Sequence, residues 1–178
     1  MNPCRCGYGK ASGRACGRGP NCEEVYQSRI SGPMLDRMDL SIELPAVTPA
    51  DLAAPANGES TAEVAARVAA ARSAQSDRMN AQPGIQAPSP SNAAMSDADL
   101  TKFATPDQEG AALLSRAAEA LGLSARAYTR ILRVARTLAD LDGSDSVRRR
   151  HIAEAVSFRR RSDPGAPLPV ATTSRIAS

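Results

Sequence analysis

Four cysteines, Cys4, Cys6, Cys16 and Cys22, fall at the start of a 178-residue chain that has no others. Thiolates are soft ligands, and four of them close a tetrahedral zinc site if the chain between them can turn. Here that chain, MNPCRCGYGKASGRACGRGPNC, is rich in glycine and arginine and lacks hydrophobic periodicity. A segment with no core of its own gains order from a metal staple. The spacing Cys4-x-Cys6, then nine residues to Cys16 and five to Cys22, departs from paired CxxC knuckles. The alternative is a set of free or redox-active thiols. No apolar leader opens the sequence, so it reads as cytosolic and not secreted, and there clustered cysteines are ligands or redox groups more often than disulfides.

Arginines are the second group able to do chemistry. Lysine and arginine number 22 against 19 acidic residues, a net charge of +3, and Lys10 and Lys102 are the only lysines. That balance permits an anionic partner without requiring one. Arg126, Arg130 and Arg133 recur at helical spacing in SARAYTRILRVARTLADL and form a basic stripe. Such a stripe is either a solvated face or a row of guanidiniums aimed at phosphates or carboxylates. Arg37 closes a short helix in ISGPMLDRMDL, where it either projects from a domain edge or pairs with Asp36 or Asp39. Arg148–Arg150 and Arg159–Arg161 are basic clusters, by default solvated.

Other chemistries fail on their residues. GYGKAS lacks the GxxxxGK(S/T) frame that cradles phosphates between a strand and a helix. His151 is the only histidine, and no Ser/His/Asp set can be built around it. No apolar run approaches the ~18 residues of a membrane span.

The elements that must position these groups are mostly helical. Pro33 starts a short helix. Asp39–Pro45 alternates Leu40, Ile42 and Leu44 with polar residues, the pattern of a half-buried strand ended by a proline. TPADLAAPANGE reads as a linker. Ser60 with Glu63 opens an Ala-rich helix to about Met79. Ser96 caps a short helix over DADLTKFA. Thr105, Pro106 and Gln108 read as cap, first-turn proline and box partner of a helix ending at Gly122. Ser124 caps the next helix, to Leu141, and Gly143 stops it. A last helix covers 146–160, and the tail 162–178 has a disordered composition. One strand cannot make a sheet, so its partners must lie elsewhere.

Three stretches in order, MNPCRCGY, YQSRISGPMLDRMDLSIELP, and LSARAYTRILRVARTLADL followed by HIAEAVSFR, together resemble the ComM/YifB family of magnesium-chelatase-like AAA+ ATPases. The resemblance implies a mainly α fold. The C-terminal edge of an AAA+ α/β core spans 1–46, with the cysteine-rich loop, short helix and one strand. A linker and Ala-rich helix span 47–105, a helical lid spans 106–161, and the tail follows. It implies Asn2 as sensor 1, Arg37 as an arginine finger acting in trans, and Arg126 as sensor 2 in the lid, binding nucleotide. The cysteine loop is part of the family pattern, with Zn2+ on Cys4, Cys6, Cys16 and Cys22.

The implied activity is ATP-dependent remodelling of DNA, of the branch-migration helicase type. ATP and Mg2+ are the cofactors, and the partners are full-length subunits in a hexameric-type ring, in the cytoplasm. Family members carry both Walker motifs ahead of the stretch matched here, so this chain alone is expected not to hydrolyse ATP. Two other readings stand beside this one. The first is a zinc-stapled helical module that binds nucleic acid. The second is a fragment of a magnesium-chelatase subunit, against which the cysteine loop argues.

Overall fold

The computed structural model describes residues 4–6, 21–42, 44, 47–55, 58–81 and 91–159. The chain divides into two units, Met1–Met38 with Ile42–Ala56, and Asp39–Ser41 with Asn57–Ser178.

The first unit holds three short helices, α1 (Cys22–Gln27), α2 (Gly32–Leu35) and α3 (Pro49–Ala53). Glu23 and Glu24 place negative charge in the first turn of α1, where it complements the helix dipole. Ser31 is extended and Pro33 occupies the first turn, which starts α2 as expected. Helix α3 falls in the stretch expected to be a linker. It forms because Thr48 and Asp51 make a reciprocal capping box around Pro49. None of the three helices buries a residue, and Val25, Met34, Ile42, Leu44 and Leu52 are exposed.

The second unit is built around one central helix. Helices α4 (Thr61–Asn80), α5 (Asp97–Phe103), α6 (Gln108–Leu121), α7 (Ala125–Leu141) and α8 (Arg149–Ser157) follow in order, with a short 3-10 turn at Asn92–Ala94. On one side of α7, Ile131, Ala135 and Ala139 pack with Leu114 of α6 and with Val147, Ile152 and Ala155 at α8. On the other side Leu132 meets Met79 of α4 and Met95, Leu100 and Ala104 around α5. The two apolar clusters thus share one helix, with a 3.6-residue period that serves both.

The caps at Ser60, Ser96 and Ser124 form as the sequence indicates. Gly122 and Gly143 adopt φ of 58° and 62°, the left-handed conformation that ends α6 and turns the chain after α7. The start of α6 differs from expectation: Asp107 caps it, not Thr105. Pro106 instead lies in a parallel bridge with Val147, and the Asp107 N–H donates to the Val147 carbonyl at 2.9 Å. Helix α8 is shorter than the expected 146–160, because Val147 is spent on that bridge.

The anticipated strand at Asp39–Pro45 is absent from its described residues, 39–42 and 44. Leu40, Ile42 and Leu44 are exposed instead of half-buried. A strand needs a ladder partner, and none is present among the described residues; the Ser41 N–H donates to the Phe158 carbonyl at 2.8 Å. No helix of the described residues is long and apolar enough to cross a membrane.

Candidate functional site

Three cysteines from the opening stretch converge. The sulfurs of Cys4, Cys6 and Cys22 lie within 4.8 Å of one another. Cys4 is buried at 1% exposure, the one buried hydrophobic residue of the first unit's described part. A turn brings Cys4 and Cys6 to an Sγ–Sγ distance of 2.7 Å, and Cys22 is the first residue of α1. Cys16 lies outside the described residues.

Tetrahedral zinc with bonds of about 2.3 Å sets its sulfurs about 3.8 Å apart. The trio spans that size, and the Cys4–Cys6 pair would open by about 1 Å to receive a metal. The donors are all soft, with no carboxylate or imidazole in the group. Three of the four expected ligands are therefore gathered in a form that fits zinc.

The arginines stand in different settings. Arg37 follows α2 and is exposed; its Nη1 donates to the Pro33 carbonyl at 2.8 Å, satisfying an orphan acceptor at the end of that short helix. Its expected ion-pair candidate Asp39 bonds elsewhere, to Arg130 Nη1 at 2.6 Å. Arg126 is the second residue of α7, placed there by the Ser124 cap, whose hydroxyl accepts from the Ala127 N–H at 3.1 Å. Its guanidinium is exposed and has no hydrogen bond or ion pair among the described residues. Arg133 donates from Nη2 to the Met95 carbonyl at 2.8 Å, and its Nε is buried without a partner among the described residues. The basic stripe of α7 is thus divided: two members hold structure and Arg126 stands free. Asn2 lies outside the described residues.

A polar cluster that the sequence reading missed sits between α4 and α7. Asp140 accepts from Arg136 at 2.8 and 3.1 Å and from Asn92 Nδ2 at 2.8 Å. Arg78 of α4 reaches both oxygens of the same carboxylate and donates to Asn92 Oδ1 at 3.1 Å. Arg136 also donates to the carbonyls of Ser144 and Asp145, fixing the turn after α7. The signal available was the i, i+4 spacing of Arg136 and Asp140 within the apolar stripe. This cluster is enclosed by its own partners and reads as structure.

His151 resolves the same way. It is 1% exposed, and its Nδ1 accepts the Arg148 N–H at 3.0 Å, capping α8. Nε2 lies 3.1 Å from Asp142 Oδ2. An acceptor Nδ1 means the ring is neutral with its proton on Nε2, which faces the Asp142 carboxylate, while Arg150 Nε also lies 3.1 Å from Nε2. Burial pushes its pKa below the ordinary value, with the Asp142 bond opposing.

Comparison with known proteins places this geometry in context. The family model described as magnesium chelatase, subunit ChlI C-terminal, matches residues 58–159. The model described as magnesium chelatase, subunit ChlI, matches residues 1–52. The chain is similar to the uncharacterized protein YifB of Escherichia coli, at 40% identity over 160 residues, 89% of this chain and 29% of that protein. It is similar to competence protein ComM of Haemophilus influenzae, at 37% over 135 residues, 75% of this chain and 25% of ComM. An uncharacterized protein of Mycobacterium tuberculosis matches at 35% over 159 residues, 89% of this chain and 30% of that protein. The chain therefore spans under a third of the length of the curated relatives it matches.

Proposed function

Because this chain belongs to the magnesium-chelatase-like family that includes YifB and ComM, we propose that it supplies the C-terminal part of an AAA+ ATPase that remodels DNA. Residues 1–46 are the end of the ATPase core, 47–105 a linker and helix, and 106–161 the lid. The reading is supported above all by two family models matched in order, over 1–52 and 58–159, with an unpaired arginine at the head of the lid's central helix.

Phosphoryl transfer is accelerated mainly by fixed positive charge and donors placed where charge develops on the γ-phosphate. Bound ATP and Mg2+ supply the transferable phosphoryl group and neutralise its oxygens. Arg126 can donate to phosphate from its own subunit, because no partner among the described residues competes for its guanidinium. Arg37 is exposed on a short helix end, where a finger for a neighbouring subunit in a ring must be. Asn2 would orient the attacking water. Zn2+ on Cys4, Cys6, Cys22 and Cys16 orders the loop between Asn2 and Arg37. Work on DNA is the reading that accords with a relative named for competence, and the setting proposed with it is the cytoplasm.

The 178 residues carry no GxxxxGK(S/T) motif, so by themselves they are expected to leave ATP intact. Mixing the polypeptide with full-length YifB of E. coli and following phosphate release tests the trans role of Arg37. The wild-type polypeptide should change the rate and Arg37→Ala should not. Equal effects from both would end this reading of Arg37, and hydrolysis by the polypeptide alone would contradict the motif argument.

A further inference from the structure

The sulfurs of Cys4 and Cys6 lie 2.7 Å apart, on residues two positions from one another in a single turn of the first unit. Two distances frame that value. A disulfide bond is about 2.05 Å long, and thiolates that share a tetrahedral zinc sit about 3.8 Å apart. The pair therefore stands about 0.7 Å from a covalent bond and about 1 Å from the chelate spacing. The third sulfur, on Cys22, belongs to a later stretch of the chain and completes a group within 4.8 Å. Of the three, Cys4 and Cys6 are the two that a small local movement can join.

Burial separates their roles. Cys4 is 1% exposed, so a dissolved oxidant does not reach it. Cys6 is half-buried beside the exposed Arg5, so its sulfur can be met from solvent. The thiolate is the nucleophile. The Cys6 thiolate attacks one oxygen of a hydroperoxide: an S–O bond forms, the O–O bond breaks, and the departing oxygen takes a proton from solvent and leaves as alcohol or water. Cys6 is then a sulfenic acid. The Cys4 thiolate attacks the Cys6 sulfur: the S–S bond forms, the S–O bond breaks, and hydroxide leaves and is protonated to water. Two electrons pass from the sulfurs to the peroxide. A disulfide sulfur is no longer a thiolate ligand, so at most Cys16 and Cys22 remain for a metal, too few to close a tetrahedron.

We propose that Cys4 and Cys6 are an oxidant-sensitive pair, with Cys6 attacking hydroperoxide and Cys4 resolving it as a disulfide, so that the cluster exchanges its metal for an S–S bond. A dithiol reductant reverses the step: it becomes a disulfide itself and returns two thiols to the chain. The metal half of the exchange rests on the zinc reading given above. The identity of the pair rests on sulfur geometry and burial alone.

Trypsin cleaves after Arg5, between the two cysteines, so a Cys4–Cys6 disulfide shows as peptides 1–5 and 6–10 held together. The chain, purified reduced and zinc-loaded, is treated with a slight excess of hydrogen peroxide. Zinc release is followed with a chromogenic chelator, and the remaining thiols are then alkylated for mass spectrometry. Each chain should lose two thiols and about one zinc, with the linked peptides as the main disulfide product. Dithiothreitol should return both thiols, and added zinc should bind again. In Cys4→Ala, dimedone should trap the sulfenic acid on Cys6, and the linked peptides should vanish. The proposal fails if the main disulfide contains Cys16 or Cys22, if peroxide leaves Cys4 and Cys6 reduced, or if the first adduct forms on Cys22. The wild-type peptide map decides this even where Cys4→Ala does not fold. Zinc that stays bound after the disulfide forms overturns the exchange. A chain that holds no zinc yet forms the same disulfide ends the zinc reading, and the exchange with it, while the pair stands.

Discussion

Arg136 and Asp140, one helical turn apart on α7, form an ion pair whose side chains are only 2% and 1% exposed. Two contacts, at 2.8 and 3.1 Å, join them. Arg78 brings a second guanidinium to the same carboxylate from α4. One buried anion thus serves two cations, and the backbone carbonyls of Ser144 and Asp145 take two more of the Arg136 protons. Burial pushes the Arg136 pKa below the ordinary arginine value; Asp140 opposes that and Arg78 adds to it.

This arrangement makes Asp140 the residue α4 and α7 can least spare. Removing one partner of a buried pair costs about 3–5 kcal/mol, because the other charge is left uncompensated. Asp140→Asn keeps the shape, leaves two guanidiniums facing a neutral amide, and should lose stability in that range in urea denaturation. Arg136→Met removes a charge that Arg78 can partly replace at Asp140, and should lose less. A loss under ~1 kcal/mol for Asp140→Asn would mean that solvent reaches the site.

Gly110 makes the opposite of the usual helix prediction. In an exposed helix interior, Gly to Ala gains about 1 kcal/mol. Here the Gly110 N–H donates to the Asp107 carboxylate at 2.7 Å, the cap of α6. A Cβ at Gly110 would lie 2.8 Å from that Asp107 Oδ1, 3.0 Å from Pro106 Cβ and 3.3 Å from the Arg149 nitrogen. The cap carboxylate must swing away, and the bridge at Pro106 and Val147 is pressed from one side. Gly110→Ala should therefore destabilise by about 1–2 kcal/mol and lower Tm. A raised Tm would show that the propensity gain prevails.

The elements that were legible share one property: their signals are local. Ser60 with Glu63, Ser124, Gly122 and Gly143 each act within a turn of where they stand, and the 3.6-residue stripe of α7 is continuous over its length. Leu40, Ile42 and Leu44 misled because alternation states what a segment offers a sheet, not whether a sheet is present. Helix α3 was missed although Thr48, Pro49 and Asp51 carry a complete start signal; five residues are too few to show a helical period, and the stretch looked like a linker. The Arg78–Asp140 bond joins residues 62 apart, and the Asp39–Arg130 bond residues 91 apart. No periodicity announces such pairs. The cysteines stood out by their chemistry and not by secondary structure, and Cys4, Cys6 and Cys22 do converge.

Metal content tests that chemistry directly. Purified under reducing conditions, the chain should carry about one zinc per polypeptide by elemental analysis. Cys4→Ser and Cys22→Ser should each cut that to a small fraction, since three thiolates at most would remain. Cys16→Ser should do the same if it completes the tetrahedron. Cobalt in place of zinc should show the intense visible bands of a tetrahedral thiolate site. Metal-free protein whose four thiols react at equal rates would contradict the assignment.

His151 gives α8 a pH dependence whose sign follows from its neutral state. Protonating Nδ1 would turn the acceptor of the Arg148 N–H into a donor, and would add positive charge beside Arg148, Arg149 and Arg150. The folded pKa accordingly lies below the unfolded value of about 6.5, burial being the main cause. Between the two values the unfolded chain binds more protons, so stability rises with pH there. The contribution is complete above about pH 6.5 and is lost as pH falls through the folded pKa. Asp51, Glu59 and Glu63 are held below their ordinary values by hydrogen bonds from Thr48, Arg67 and Ser60, so they titrate below this window. Thermal melts from about pH 7.5 to 5.5 should show Tm falling in the wild type. His151→Gln, whose amide oxygen can still accept the Arg148 N–H, should flatten that slope. An equal slope in both proteins would assign the titration to another group.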